Sequence, residues 1–271
     1  MLDFKKVHEV ILEILKTTDQ KIVDGFNSDL EVKDKGGRVE SNPVTEVDGA
    51  VEDFLKDQLS EAFPEVGFVG EERDNNTKDE YNWVVDPIDG TKNFSLKVPV
   101  FCTSIALWKN NKPVYGMMSF PMQNLRVHVI DGKGIFVNEK KHLAENKESV
   151  QKTPLILFNM VGNHKLKAEM FVKILEDMFS PRYFGSAVYH LMMVGLGKAD
   201  VVALWNLAPW DLGVAKLLMQ EAGLEYRYVG EDVNLDLEGK EPYRFKIVVG
   251  KQPFVDKIAS FFEEALDKKE K

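Results

Sequence analysis

The chain carries a single cysteine, Cys102, among 271 residues. An internal disulfide is thereby excluded, and the usage fits a reducing, cytoplasmic compartment. In that setting the sequon-like Asn75-Asn76-Thr77 and Asn93-Phe94-Ser95 read as coincidences. Cys102 lies in an apolar run with no activating neighbour, which speaks against a catalytic thiol. No apolar run reaches the roughly 18 residues that cross a bilayer, so no membrane partner is expected. The opening Met1-Leu2-Asp3-Phe4-Lys5-Lys6 reads as the start of an amphipathic helix, not a signal peptide. Positive charge is in short supply: 35 Lys and Arg against 44 Asp and Glu leave a net charge of -9, which argues against a nucleic-acid partner. His8, His128, His142, His164 and His190 are scattered, with no HxH or HExxH spacing, and read as structural or exposed. Gly195-Leu196-Gly197 lacks a dinucleotide-binding context and reads as a helix terminus. There is no internal repeat.

What remains is an ordinary globular composition, 44% hydrophobic and 29% charged, long enough for one large domain or two packed halves. Phe4, Val7, Ile11, Ile14 and Leu15 predict an opening helix. Residues 30–44 are polar and contain Gly36-Gly37, so they read as a loop or hairpin. Thr45-Glu46-Val47-Asp48 resembles a capping box before a helix whose apolar face is Val47, Ala50, Val51, Phe54, Leu55 and Leu59. Short strands are expected at 66–69 and 81–85. A meander is expected at Phe101–Trp108, Val114–Phe120 and Arg126–Ile130, separated by good turn sequences. Residues 138–152 read as a charged connection. The second half alternates: strand 155–158, helix 165–178, strand 182–184, helix 186–194, strand 200–204, helix 212–221 stopped by Gly223, strand 247–249 and helix 253–266. Residues 267–271 read as a frayed tail. The total predicts a layered α/β fold with antiparallel and mixed sheet.

The most informative stretch is Trp83-Val84-Val85-Asp86-Pro87-Ile88-Asp89-Gly90-Thr91. A buried strand ends in two carboxylates three positions apart, then in Gly-Thr, whose backbone N–H groups can meet an anion. That pairing suits a divalent cation beside a phosphate; the competing reading is an Asx turn, with the carboxylates capping backbone N–H groups. Other carboxylates also sit at element ends: Glu71 after an apolar run, Asp211 in Pro209-Trp210-Asp211, and Asp48 beside Thr45. Each has a local alternative, the last two as helix caps. Together they form an oxygen-rich set of the kind Mg2+ takes alongside substrate phosphate.

Asp86-Pro87-Ile88-Asp89-Gly90-Thr91 resembles the DPxDGT signature of the inositol monophosphatase family. Chance alone gives such a match in about one chain of this length in several thousand. Further elements follow in family order. Asn42-Pro43-Val44-Thr45-Glu46-Val47-Asp48 resembles PVTxxD, Gly70-Glu71-Glu72 resembles GEE, and Gly185-Ser186-Ala187 resembles the substrate-side GS/GT-A element. Pro209-Trp210-Asp211 with Glu221-Ala222-Gly223 resembles the WD-to-EAG signature.

The resemblance implies an αβαβα five-layer sandwich of the inositol monophosphatase and fructose bisphosphatase type. It implies an N-terminal half, 1–145, with most metal ligands, and a C-terminal half, 146–271, with Asp211 and the substrate side. Metal ligands would be Glu71, Asp86, Asp89, Asp211 and the Ile88 carbonyl. Gly90 and Thr91 would bind phosphate, Gly185 and Ser186 the substrate, and Asp48, Thr91 and Glu71 would activate the water. Two Mg2+ ions per site, with a third and weaker one near Glu71, would support in-line hydrolysis of a small phosphorylated metabolite without a phosphoenzyme. A homodimer and lithium inhibition are implied on the same basis.

One position departs from the pattern. Many members carry an inositol-binding Glu seven residues before the WD aspartate; here it is Leu204, which accepts no hydrogen bond. Inositol-1-phosphate is the first substrate expectation, with fructose 1,6-bisphosphate and phosphoadenosine phosphate as alternatives. Trp205 is a candidate for stacking or packing, Arg182 for a second phosphate or a surface pair, and Lys33 and Lys35 for covering phosphates or lying in a solvated loop. A partner-binding regulatory protein is the reading from a different class.

Overall fold

A computed structural model describes residues 2–28, 32–33, 44–73, 75–143, 153–159, 164–177, 179–229 and 245–267. Lys35, Asn42-Pro43, the tail beyond 267 and most of the expected charged connection lie outside the described residues, as do the side chains of Lys33 and Thr45.

The chain opens with α1 (Phe4–Asn27), capped by Asp3, whose carboxylate accepts from Lys5 N at 3.0 Å. The short strands β1 (Val32–Lys33) and β2 (Val44–Thr45) pair antiparallel, as a hairpin requires. Then come α2 (Glu46–Ala62), β3 (Gly67–Val69), β4 (Tyr81–Asp89) and the one-turn α3 (Thr91–Ser95). The meander is β5 (Cys102–Lys109), β6 (Lys112–Phe120), β7 (Leu125–Ile130), β8 (Gly134–Val137) and β9 (Lys140–Lys141). The second half contributes β10 (Leu155–Asn159), α4 (His164–Glu176), β11 (Ser180–Arg182), α5 (Ala187–Gly195), β12 (Val201–Leu207), α6 (Ala215–Glu221), β13 (Glu225–Tyr228), β14 (Phe245–Gly250) and α7 (Phe254–Asp267).

The strands form a seven-stranded sheet in the order β3-β4-β5-β6-β7-β8-β9 and a five-stranded mixed sheet in the order β11-β10-β12-β14-β13. Alternation along each strand makes the layers. On β4, Trp83 and Val85 face α1 and α2, while Val84 faces the other way, toward α5 and α6. On β12, Val202 and Leu204 face that same central layer, while Val201 and Ala203 join Ile258 and Phe262 of α7 and Met170 of α4. The result is helix, sheet, helix, sheet, helix: the five-layer sandwich.

Several boundaries differ from expectation. β9 lies inside the stretch read as connection, and β13 falls where no element is expected, although Leu224, Tyr226 and Tyr228 alternate with Glu225 and Arg227; it forms by pairing antiparallel with β14. The strand expected at 182–184 is Ser180–Arg182, set by parallel pairing with β10. α6 begins at Ala215, not Leu212, because residues 209–214 first form turns. The α2 face also turns: Ala50 is exposed, while Asp48 and Glu52 are buried beside Val51, Leu55 and Leu59. Among the described residues no helix is long and apolar enough to cross a membrane.

Candidate metal centre

The acidic turn is built by a register shift. Asp86 pairs with Ser104 and Asp89 with Cys102, so three steps on β4 match two on β5. In a regular strand, side chains three apart point to opposite faces. The extra residue is a β-bulge that brings both carboxylates to one face, and Pro87 is tolerated there because a bulge need not donate its N–H. Thr103 Oγ1 fastens the bulge by donating to the Pro87 carbonyl at 2.9 Å. Asp211 arrives from the turns between β12 and α6, where its Oδ2 accepts from Ala208 N at 2.6 Å. One carboxylate oxygen from each of Asp86, Asp89 and Asp211 lies within 4.8 Å of the others.

The three carboxylates are held differently. Asp89 sits over the start of α5: Ser186 Oγ donates to it, as do Ala187 N at 3.0 Å and Val188 N at 2.9 Å. Burial raises its pKa and these hydrogen bonds oppose the rise. Asp86 is 2% exposed, and its Oδ1 has no hydrogen-bond partner among the described residues. Burial, then the charges of Glu71, Asp89, Asp211 and Asp48, hold the Asp86 carboxyl well above the usual carboxylate range. Glu71 and Asp48 therefore stand within electrostatic reach of the cluster. A buried carboxylate oxygen without a partner is costly, and a cation resolves the cost. The donors are all oxygens, which fits a hard dication such as Mg2+.

The remaining expected residues surround this cluster. Gly90 has φ +97°, and a Cβ there would meet Val100 O at 3.0 Å, so only glycine suits the turn into α3. The Thr91 hydroxyl donates to the Ile88 carbonyl at 3.0 Å. Gly185 has φ +76°, and a Cβ would meet Asn93 Oδ1 at 2.7 Å. Ser186 is buried and gives its hydroxyl proton to Asp89. Leu204 is fully buried in the central core. Trp205 stacks on Phe262 at 5.4 Å, in the layer beyond, which makes it a packing residue. Arg182 is spent locally on Ser180 Oγ and Pro181 O. The Cys102 thiol is 3.9 Å from Asp89 Oδ2, and burial and that carboxylate push its pKa well up, so it stays protonated.

Three residues were missed. Glu52, fully buried on α2, accepts from Glu72 N at 2.8 Å, and burial raises its carboxyl. A Cβ on Gly70 would come within 2.5 Å of Glu52 Oε1, so that glycine lets the carboxylate lie beneath the turn bearing Glu71. The signal was present: Asp48, Glu52, Leu55 and Leu59 form one helical stripe. Asn93, part of the discounted sequon, donates to Val100 O at 2.7 Å and Phe184 O at 2.6 Å, tying α3 to the Gly185 loop. His190 accepts from Phe184 N at 2.9 Å and holds the same loop from the α5 side.

Residues 3–258 match the model of the Inositol monophosphatase family. The chain belongs to the inositol monophosphatase family. As a member it is a phosphoric monoester hydrolase of a metal-dependent family. It is 27% identical to the Inositol-1-monophosphatase of Bacillus subtilis over 98% of both chains. It is 30% identical to the Fructose-1,6-bisphosphatase/inositol-1-monophosphatase of Aquifex aeolicus, over 74% of this chain and 76% of that one. The crystal structure of an IMPase/NADP phosphatase complexed with Mg2+ and phosphate superposes with a TM-score of 0.81 at 21% identity, covering 95% of each chain. That last likeness speaks for the inositol monophosphatase fold.

Proposed function

We propose that this inositol monophosphatase family member hydrolyses inositol-1-phosphate or a closely similar small phosphate monoester with Mg2+. The observation that carries the reading is the unpartnered Asp86 oxygen set among the carboxylates of Asp89 and Asp211. Glu71, Asp86, Asp89, Asp211 and the Ile88 carbonyl would hold the ions, two per site with a third and weaker one at Glu71. When bound, Mg2+ supplies a more acidic water and charge neutralisation at the phosphate and the leaving oxygen.

The chain's own groups do the rest. Gly90 and Thr91 N–H groups donate to phosphate oxygens. Asp48 and Thr91 orient the attacking water, and Glu71 takes its proton. The Thr91 hydroxyl has one proton, which rests on Ile88 O; in the reacting complex it turns toward Asp48, and the Ile88 carbonyl is freed. Water adds to phosphorus in line, the ester P–O bond breaks, and the leaving oxygen takes up a proton, releasing alcohol and inorganic phosphate. Gly185 and Ser186 shape the substrate side, with Asp89 fixed between Ser186 and α5.

Fructose 1,6-bisphosphate is the second reading. It is favoured by Leu204, which offers inositol hydroxyls no acceptor, and by the double name of the Aquifex relative. The test is phosphate release from inositol-1-phosphate, fructose 1,6-bisphosphate and phosphoadenosine phosphate, with Mg2+ and with EDTA, for wild type and Asp86→Asn. Metal-dependent release that falls by orders of magnitude in the variant is expected. No metal-dependent release from any substrate would favour the partner-binding reading instead.

A further inference from the structure

On the α1 side of the large sheet, away from the carboxylate centre, three side chains distant in sequence meet. His8 comes from α1 and His128 from β7, and Glu139 from the tight turn between β8 and β9. His8 Nε2 is 2.9 Å from Glu139 Oε2, and His128 Nδ1 is 3.5 Å from Glu139 Oε1. A donor atom from each of the three lies within 4.8 Å of the others. Tetrahedral zinc with N and O ligands separates its donors by about 3.3–3.5 Å, so small rotations suffice. His128 is 4% exposed, and its Nδ1 has no hydrogen-bond partner among the described residues although it points into the cluster.

The surroundings are those of a ligand set. His8 Nδ1 is 2.9 Å from the Tyr115 hydroxyl, an outer partner that fixes the ring and its tautomer when Nε2 binds a metal. Phe136 stacks on His128 at 4.6 Å and 5° and fixes that ring. Glu139 has φ +65°, after Asn138 at +46°. Such a turn favours glycine at the second position, yet a carboxylate stands there, aimed at both histidines.

We propose that His8, His128 and Glu139 form a second metal site, for a transition-metal dication of the Zn2+ class, separate from the carboxylate centre. The N2O donor set favours such an ion over Mg2+, and the half-exposed Glu139 leaves a coordination position to water. Bound there, the ion would pin α1 to β7 and the β8–β9 turn.

The test is Zn2+ titration of the EDTA-treated full chain in saturating Mg2+, read by competition with a chromophoric chelator and by histidine ring NMR. Expected are one zinc equivalent retained in Asp86→Asn, lost in Glu139→Gly, and weakened about tenfold in Tyr115→Phe. Glu139→Gly suits the turn and keeps the fold. The His8 and His128 ring signals of the wild type shift with Zn2+ and not with Mg2+. Ring signals unmoved by Zn2+, or zinc binding lost in Asp86→Asn but kept in Glu139→Gly, would overturn the assignment.

Discussion

At the scale of single residues, the site trades stability for chemistry. Asp86 places a charge where burial and four neighbouring carboxylates oppose it. In EDTA, Asp86→Asn should therefore melt higher than wild type, because Asn mimics the neutral acid without adding charge. Added Mg2+ should raise the melting temperature of wild type far more than that of the variant; equal Mg2+ shifts would remove Asp86 from the cation site. His190 makes a second residue-scale case. Its Nε2 already accepts from Phe184 N, and burial lowers its pKa from 6.5 to about 4. The native state thus binds fewer protons than the unfolded chain between those values. The contribution of the neutral ring is fully present above about pH 6.5 and is lost as pH falls toward 4. Urea unfolding should show the advantage of wild type over His190→Gln shrinking by about 2 kcal/mol between pH 7 and 4.5. A pH-independent difference would rule the mechanism out.

At the scale of elements, close approach decides which glycines matter. α5 and α6 pack so tightly that a Cβ on Gly195 would meet Leu218 Cδ2 at 2.5 Å. Gly195→Ala should cost about 1–3 kcal/mol of unfolding free energy as overpacking. Adding Leu218→Ala should give a double variant less destabilised than the sum of the two, since one change fills what the other empties. Gly70 plays the matching role between α2 and the Glu71 turn. With Glu52 Oε1 only 2.5 Å from a new Cβ, Gly70→Ala should displace that turn and raise the Mg2+ concentration for half-maximal activity. An unchanged Mg2+ dependence would separate Glu52 from the site. The β4 bulge belongs to this scale as well: without it Asp86 and Asp89 would face opposite layers.

At the scale of the molecule, the central layer joins the halves. Val84, Ala106, Trp108 and Met118 of the large sheet share one core with Leu157, Val202, Leu204 and Val249 of the small sheet, through Leu191 and Leu218 of α5 and α6. The Trp108 ring N–H also donates to the Gly213 carbonyl at 3.1 Å across that layer. Calorimetry should therefore show one unfolding transition whose calorimetric and van't Hoff enthalpies agree. Two resolved transitions would mean that the halves fold as separate units.

Local patterns and motif order in the sequence determined much of this protein. The apolar periodicity of α1 and the meander, the turn at Asn110-Asn111, and the run from Asp86 to Thr91 act over a few residues, so they are legible without the fold. Tertiary structure decided what depends on distant partners. β9 and β13 exist because a neighbour pairs with them, and Glu52 is buried because the Gly70 turn covers it. Leu204 and Trp205, adjacent in sequence, end in different layers because strand side chains alternate. His8, His128 and Glu139 lie far apart along the chain, and only the packing of α1 on the sheet brings their donor atoms together.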